Sequence, residues 1–428
     1  MSDRRVAIFG LGYVGLPLIR ACISAGHQVI GFDINRHVVT SLLDGRSHVD
    51  DVPDAEVVRW LEHGFLPTSR TRDLIDIDVF IICVPTPLAA DDSPDLGSVE
   101  AATRAIAGRL DLARRPLVIL ESTTYPGTTE EILKPILEGA GGQAGVDFAL
   151  AFSPERIDPG NKIWSFENTP KVVGGLTEGC ADRAEEFYLT ITSEVVRTKG
   201  LKEAEMAKLL ENTYRHVNIA LVNELAKISH LLGIDIWDVI AAAETKPYGF
   251  QAFRPGPGVG GHCIPIDPNY LGHRVRTELG QTLRFVELAQ EINASMPSYV
   301  VQRVEQLLAK HEVSLDEAEV LLLGVTYKPD IADLRESPAF GVVRELRKRG
   351  AVVLFHDPYV DEWIADGVAV EKIEDLAEGT RQATCTVLLQ THGCYLEAAR
   401  LIQSPLLLDT QGRLGSVINE REITWTNL

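Results

Sequence analysis

The sequence predicts an α/β protein in which two doubly wound, parallel-sheet domains are joined by a central all-helical segment containing one long helix. Three observations carry this expectation. Strand and helix patterns alternate over roughly the first 200 residues. From Leu201 to Leu232 the periodicity is helical, with no proline or glycine. From about residue 320 the strand–helix alternation returns. A chain of 428 residues also exceeds one ordinary core, at roughly 150 residues per domain. The expected domains are residues 1–198, 199–310 and 311–428.

Taken in order, Val6–Phe9 reads as a short buried strand, and Gly10, Gly12 and Gly15 interrupt the chain after it. Leu16–Ala25 reads as a helix stopped by Gly26, and His27–Phe32 as the next strand. Val79–Val84, Leu117–Glu121 and Phe148–Phe152 read as further strands, with helices at Val99–Arg109 and Thr128–Glu138. Buried strands alternating with helices imply a parallel sheet covered on both faces. In the middle third, the long helix is followed by Ile236–Ala243, by a glycine- and proline-dense loop at Arg254–Pro268, and by a helical run Leu283–Leu308 bent at Pro297. A long apolar helix between two α/β units suits a homodimer interface. The last third supplies strands at Val320–Gly324, Ala351–His356, Thr386–Leu389 and Leu406–Asp409, with a helix at Ala339–Lys348.

The net charge of −20 disfavours phosphate backbones and anionic lipid surfaces, so no nucleic-acid or membrane partner is expected. No segment reaches the roughly 18 unbroken apolar residues of a membrane span. Arg4 and Arg5 precede an apolar run, but its glycines and the absence of a small-residue cleavage site argue against a signal peptide. The six cysteines (Cys22, Cys83, Cys180, Cys263, Cys385 and Cys394) form no C-x-x-C pair. Neither a metal site nor a disulfide framework is expected, which suits a cytoplasmic protein.

Gly10-Leu11-Gly12-Tyr13-Val14-Gly15 is G-x-G-x-x-G between a strand and a helix, the context of a Rossmann-like dinucleotide site. Asp33 closes the second strand, where a carboxylate accepts the ribose hydroxyls and repels a 2′-phosphate. NAD is therefore favoured over NADP, an inference that Arg36 weakens a little. Cys83-Val84-Pro85-Thr86-Pro87 and Glu121–Thr128 end strands of the same sheet, where ligand-lining loops lie. In Gly256-Pro257-Gly258-Val259-Gly260-Gly261-His262-Cys263-Ile264-Pro265-Ile266-Asp267, a glycine-rich backbone open to a ligand precedes a thiol, with a carboxylate four residues on. Lys208 and Asn212 lie four apart on the long helix and share a face. Read alone, that lysine is an ordinary snorkelling side chain and Glu155 a solvated glutamate.

Together these residues resemble the nucleotide-sugar 6-dehydrogenases, the family of UDP-glucose and GDP-mannose dehydrogenases. The resemblance runs from about residue 5 to residue 415. It rests on Gly10–Gly15, Cys83–Pro87, Ser122–Thr128, Ser153–Glu155, Glu205–Asn212 with Asn223-Glu224, Gly258–Asp267, Gly324–Pro329 and Asp333–Pro338. The loop at 256–268 is similar to the branch acting on UDP-N-acetylhexosamines, UDP-N-acetylglucosamine above all. The UDP-glucose branch usually has Phe-Gly-Gly-Ser-Cys where this chain has Val-Gly-Gly-His-Cys.

The resemblance implies a four-electron oxidation of the sugar C6 alcohol to a carboxylate by two NAD, through a thiohemiacetal and thioester on Cys263. It implies catalytic roles for Cys263, Lys208, Asn212, Asp267, Glu155 and Thr123. It implies cofactor contacts from Gly10, Gly12, Tyr13, Val14, Gly15, Asp33, Arg36, Pro85, Thr86, Thr123 and Arg335. For a UDP-sugar substrate it implies Glu155, Arg156, Lys208, Asn212, Arg254, Gly260 and Lys328. The rival readings are the same chemistry on UDP-N-acetylmannosamine or UDP-glucose, a two-electron β-hydroxyacid dehydrogenase, and a non-catalytic NAD-binding module.

Overall fold

The computed structural model describes residues 3–49, 51–89, 91, 93–158, 161, 163–261, 264–415 and 423–428. The chain divides into two compact units, Met1–Glu211 with Asn269–Gln281, and Asn212–Pro268 with Thr282–Leu428. The long helix spans Leu201–Leu232, as its periodicity predicts, and contributes to both units.

The first unit is built on eight strands: β1 (Arg5–Phe9), β2 (Gln28–Phe32), β3 (Leu66–Thr68), β4 (Val79–Ile82), β5 (Leu117–Leu120), β6 (Ala149–Phe152), β7 (Lys171–Gly175) and β8 (Val195–Arg197). Their spatial order is β3-β2-β1-β4-β5-β6-β7-β8. Val6 pairs with Val29 on one side and Val79 on the other. Such strands are near-continuous apolar runs because both faces are covered, and Val6, Ala7, Ile8, Phe80, Ile81 and Ile119 are fully buried. The strand order reverses between β1 and β4, and the crevice for a ligand in such a sheet lies beyond the carboxyl ends of those strands. The sheet is not wholly parallel, because β7 runs antiparallel to β6.

The second unit carries a seven-stranded sheet: β9 (Glu319–Leu323), β10 (Val352–His356), β11 (Trp363–Ala365), β12 (Val368–Lys372), β13 (Cys385–Leu388), β14 (Leu406–Asp409) and β15 (Thr424–Asn427). Its order is β11-β12-β10-β9-β13-β14-β15, with β11 and β12 antiparallel. Trp363 is buried edge-on against Phe340 and Phe355, with ring centroids 5.5 and 5.6 Å away.

Two helical expectations change. The run Leu283–Leu308 is two helices, Arg284–Ala294 and Met296–Ala309, with the break at Ser295. Pro297 sits in the first turn of the second helix, where its missing N–H has no helical partner to lose. A helix at Asp267–Leu279 was not expected. Its sequence, DPNYLGHRVRTEL, is mostly polar, and its helical signal is confined to the thin stripe Leu271, Val275 and Leu279.

Candidate active site

In the first unit, β1 runs straight into the glycine turn. Gly10 has φ +95°, and a Cβ there would lie 2.5 Å from the Cys83 carbonyl oxygen, so only glycine fits. A Cβ on Gly15 would lie 1.9 Å from the Gly10 carbonyl oxygen, which draws the helix onto the turn. At Gly12 a Cβ would meet nothing within 4 Å, so the backbone there is open to an approaching group. The helix Gly15–Ser24 has Val14 at its N-cap and no side-chain cap; Leu16 N donates to the Gly12 carbonyl at 3.1 Å, and the positive dipole end faces outward for an anion. Asp33 is half-buried beyond β2. Its Oδ2 accepts from Leu11 N at 3.0 Å and its Oδ1 from Asn35 N at 2.8 Å, so the carboxylate is fixed beside the turn. Arg36 is exposed at the start of the next helix. An open pyrophosphate cradle, an uncapped helix and a held carboxylate together fit a dinucleotide such as NAD.

The loops after β4 and β5 are tied together by Ser122, whose Oγ donates to the Val84 carbonyl at 2.7 Å. Thr86 is buried, Pro85 exposed and Thr123 half-buried on these loops. The β5 loop is held from below by Glu205 of the long helix. Its carboxylate accepts from Gly127 N (2.6 Å), Thr129 N (2.9 Å) and Thr129 Oγ1 (2.7 Å). Burial nevertheless pushes Glu205 up to about 7, against the pull of those donors. A folded-state value above the ordinary 4.5 means that its contribution to stability is fully present below about pH 4.5 and is lost as pH rises through 7. Relative to wild type, Glu205→Gln should therefore gain about 1 kcal/mol of stability between pH 6 and pH 8. Urea unfolding of both proteins at the two pH values measures this, and an unchanged difference would refute it.

One turn further along the same helix, Lys208 is buried, its Nζ donating to the Glu155 carbonyl at 2.6 Å and lying 3.5 Å from Glu155 Oε2. Glu155 Oε1 also accepts from Ile157 N. The neighbouring Arg156 donates to the Pro170 carbonyl at 2.8 Å and pairs with Glu211, so this guanidinium is engaged within the protein. Beneath these loops lies a buried ionic cluster that sequence reasoning missed. Glu121 is fully buried, with Lys171 Nζ 3.0 Å from its Oε2 and the Tyr188 hydroxyl donating to its Oε1. Lys171 also lies 5.1 Å from the ring centroids of both Phe166 and Tyr188. Burial, then the Glu121 charge, hold the Cys83 thiol well above its ordinary range, which keeps it protonated. A glutamate closing an apolar strand was the only signal in the sequence.

In the second unit, Asn212 Nδ2 donates to Asp267 Oδ2, and Asp267 is buried at the head of its helix. Cys263 and His262 lie outside the described residues, so the expected nucleophile has no described geometry. The other five cysteines are free thiols; Cys22, Cys180 and Cys385 are buried and Cys83 is half-buried, but Cys394 is exposed. The glycine loop is anchored by Asn223, whose Oδ1 accepts from Gly256 N at 3.0 Å and whose Nδ2 donates to Asn293 Oδ1 at 2.9 Å. Gly261 has φ +88° and donates its N–H to the Arg335 carbonyl at 3.1 Å. A Cβ on Gly260 would lie 2.6 Å from the Glu336 carbonyl oxygen. These two glycines are thus required by the protein's own 327–338 segment.

Arg335 pairs with Asp333 (Nη2 to Oδ2, 2.5 Å) and Arg254 with Glu244 (3.3 Å), while Lys328 is half-buried. Asp357 repeats the device of Asp33, its Oδ2 accepting from Val325 N at 2.7 Å. Here, however, the carboxylate is buried and also accepts from His392 Nε2 at 3.0 Å, a pairing that holds it below the usual carboxylate range. Among the described residues no group of three or more His, Cys, Asp or Glu could hold a metal, and no helix is long and apolar enough to cross a membrane.

Comparison with known proteins accounts for this arrangement. The NAD binding domain of the UDP-glucose/GDP-mannose dehydrogenase family matches residues 4–192, its central domain 202–295 and its UDP binding domain 321–416. The chain belongs to the UDP-glucose/GDP-mannose dehydrogenase family. It is an NAD-dependent UDP-sugar dehydrogenase, with NAD taken by the β1–β8 domain and UDP by the β9–β15 domain. It is 40% identical over 364 residues to the UDP-N-acetyl-D-glucosamine 6-dehydrogenase of Pseudomonas aeruginosa, covering 84% of each chain. It is 38% identical over 358 residues to the UDP-N-acetyl-D-mannosamine dehydrogenase of Pyrococcus horikoshii, covering 83% of this chain and 84% of that one. The solved structure of a UDP-D-ManNAc dehydrogenase from Pyrococcus horikoshii superposes with a TM-score of 0.87 at 33% identity, covering 99% of this chain and 98% of that one.

Proposed function

We propose that this family member oxidises the C6 alcohol of a UDP-N-acetylhexosamine, UDP-N-acetylglucosamine first, to the uronic acid, with Cys263 holding the sugar covalently between two oxidations. The observation that carries the reading is the part-buried Asn212–Asp267 hydrogen bond, because it fixes a donor against a carboxylate that stands four residues from the thiol in sequence. Bound NAD supplies the hydride acceptor, one molecule for each two-electron oxidation of C6. Loss of the first hydride and the hydroxyl proton leaves an aldehyde. The Cys263 thiolate adds to that carbon, and protonation of the oxygen gives a thiohemiacetal. Loss of a second hydride and the hydroxyl proton leaves a thioester, and water cleaves its C–S bond to return the thiol and release the acid.

The residue types answer the charges that develop. Lys208 and Asn212 stabilise oxygen as it becomes anionic in each step. Asp267 and Glu155 are carboxylates able to take or return a proton, and Thr123 orients the water. Gly10, Gly12, Tyr13, Val14, Gly15, Asp33, Arg36, Pro85, Thr86, Thr123 and Arg335 make the cofactor side. Arg156, Arg254, Gly260 and Lys328 join Glu155, Lys208 and Asn212 on the substrate side. Covalent capture keeps a reactive aldehyde from escaping between the oxidations.

The N-acetylglucosamine assignment is supported by the 256–268 loop and by the Pseudomonas relative. The same chemistry on UDP-N-acetylmannosamine is the second reading, favoured by the name of the Pyrococcus relative. A panel of UDP-N-acetylglucosamine, UDP-N-acetylmannosamine and UDP-glucose with NAD decides between them. The first should give the highest kcat/KM, and preference for either other sugar would overturn the assignment. A cytoplasmic homodimer completes the reading. Tyr214, Leu221, Leu225, Ile228 and Leu232 are exposed on the long helix at seven-residue repeats, the spacing of a helix–helix seam. Sedimentation equilibrium should give twice the chain mass, and Leu225→Glu should halve it; a wild-type monomer would refute the seam.

A further inference from the structure

Within the second unit, the buried face of the long helix carries polar atoms that the fold does not use. His216 is 2% exposed, and neither its Nδ1 nor its Nε2 has a hydrogen-bond partner among the described residues. Thr213, three residues earlier and on the same face, is half-buried, but its Oγ1 is enclosed and likewise has no partner among the described residues. The helix's other polar side chains in this unit show how unusual this is. Asn212 is paired with Asp267, Asn223 with Gly256 and Asn293, and Lys227 with Ser295. Buried polar groups in native structures are nearly all satisfied, and a helix face that needed only packing would carry residues such as the buried Ala220 and Ala226.

We propose that Thr213 and His216 are substrate-binding residues that hydrogen-bond the hydroxyl or amide groups of the sugar ring in the UDP-sugar. The assignment rests on the proposed action of Asn212 at the sugar C6. His216 lies one helical turn from Asn212, a rise of about 5.4 Å and comparable to the width of a hexose ring. Its chemistry selects the sugar over the diphosphate. Burial alone holds the imidazole down to about 4, so at neutral pH the ring presents one N–H and one lone pair. A hydroxyl or an amide satisfies both, whereas a diphosphate oxygen only accepts and would leave the imidazole lone pair without a donor. Thr213 adds a third group able to donate or accept.

The test uses the full-length protein, with UDP and the three UDP-sugars as calorimetric titrants. His216→Leu should bind UDP within about twofold of wild type and bind the sugar that wild type turns over roughly tenfold more weakly, the scale for losing a buried polar contact. Its KM for NAD should not change, and its unfolding midpoint should hold or rise, since an unpaired polar group has gone. Thr213→Val, which keeps the shape and removes the hydroxyl, should weaken the same UDP-sugar several-fold and carries the test if His216→Leu fails to fold. Unchanged UDP-sugar affinity in the folded variants would overturn the proposal. So would equal weakening of UDP and UDP-sugar, which would move the contact to the nucleotide. The preferred sugar is read from wild type, and the role of Asn212 from kcat of Asn212→Ala, so failure of either reading is seen separately from the His216 result.

Discussion

Cys263→Ser should lower steady-state NADH formation by at least about 10³-fold, the scale for removing a catalytic nucleophile. NAD binding should be unchanged. A serine hydroxyl is scarcely ionised at neutral pH, whereas a free thiol of pKa about 8.5 is a few per cent thiolate. The aldehyde formed in the first oxidation then has no covalent partner and the second oxidation stalls. NAD affinity is expected to survive because the glycine turn and Asp33 are held by contacts within the first unit, among them Leu11 N to Asp33 Oδ2 at 3.0 Å. Turnover and NAD titration of one purified variant read both halves. Near-normal turnover would remove the covalent step, and lost NAD binding would show that the substitution had damaged more than the thiol.

Lys208→Ala is expected to cost about 10²- to 10³-fold in kcat, the range for deleting one electrostatic stabiliser of a developing oxyanion. The buried ammonium is fixed by the Glu155 carbonyl at 2.6 Å, so it is set in place before any charge develops. Removing it also leaves the Glu155 carboxylate without its closest cation, so the unfolding midpoint should fall as well. The two effects separate by assay below that midpoint, where the kcat deficit should persist in fully folded protein. A folded variant with near-wild-type kcat would reduce Lys208 to a structural partner of Glu155.

What was legible in the sequence follows from how local each feature is. The glycine turn and Asp33 declare themselves because a fixed spacing meets a fixed backbone shape, and the long helix because a period of 3.6 ran unbroken from Leu201 to Leu232. Asn212 and Asp267 were both singled out, yet only folding brings the two together across 55 positions of chain. The Glu121–Lys171–Tyr188 cluster was invisible for the same reason. Each residue alone reads as an ordinary strand or helix end, and the pairing depends on β7 lying antiparallel beside β6. Glu205 looked like one acidic residue among several on a helix until its three donors from the β5 loop identified it as an anchor. His216 gave no sign, because an unsatisfied atom is defined by its surroundings rather than by its neighbours in sequence.

The most direct measurement is the number of NADH formed per UDP-sugar consumed to completion by the wild-type enzyme. Capture of the sugar on Cys263 between two oxidations requires two. A ratio of one, with aldehyde accumulating, would contradict the four-electron reaction and leave a simple alcohol dehydrogenase in its place.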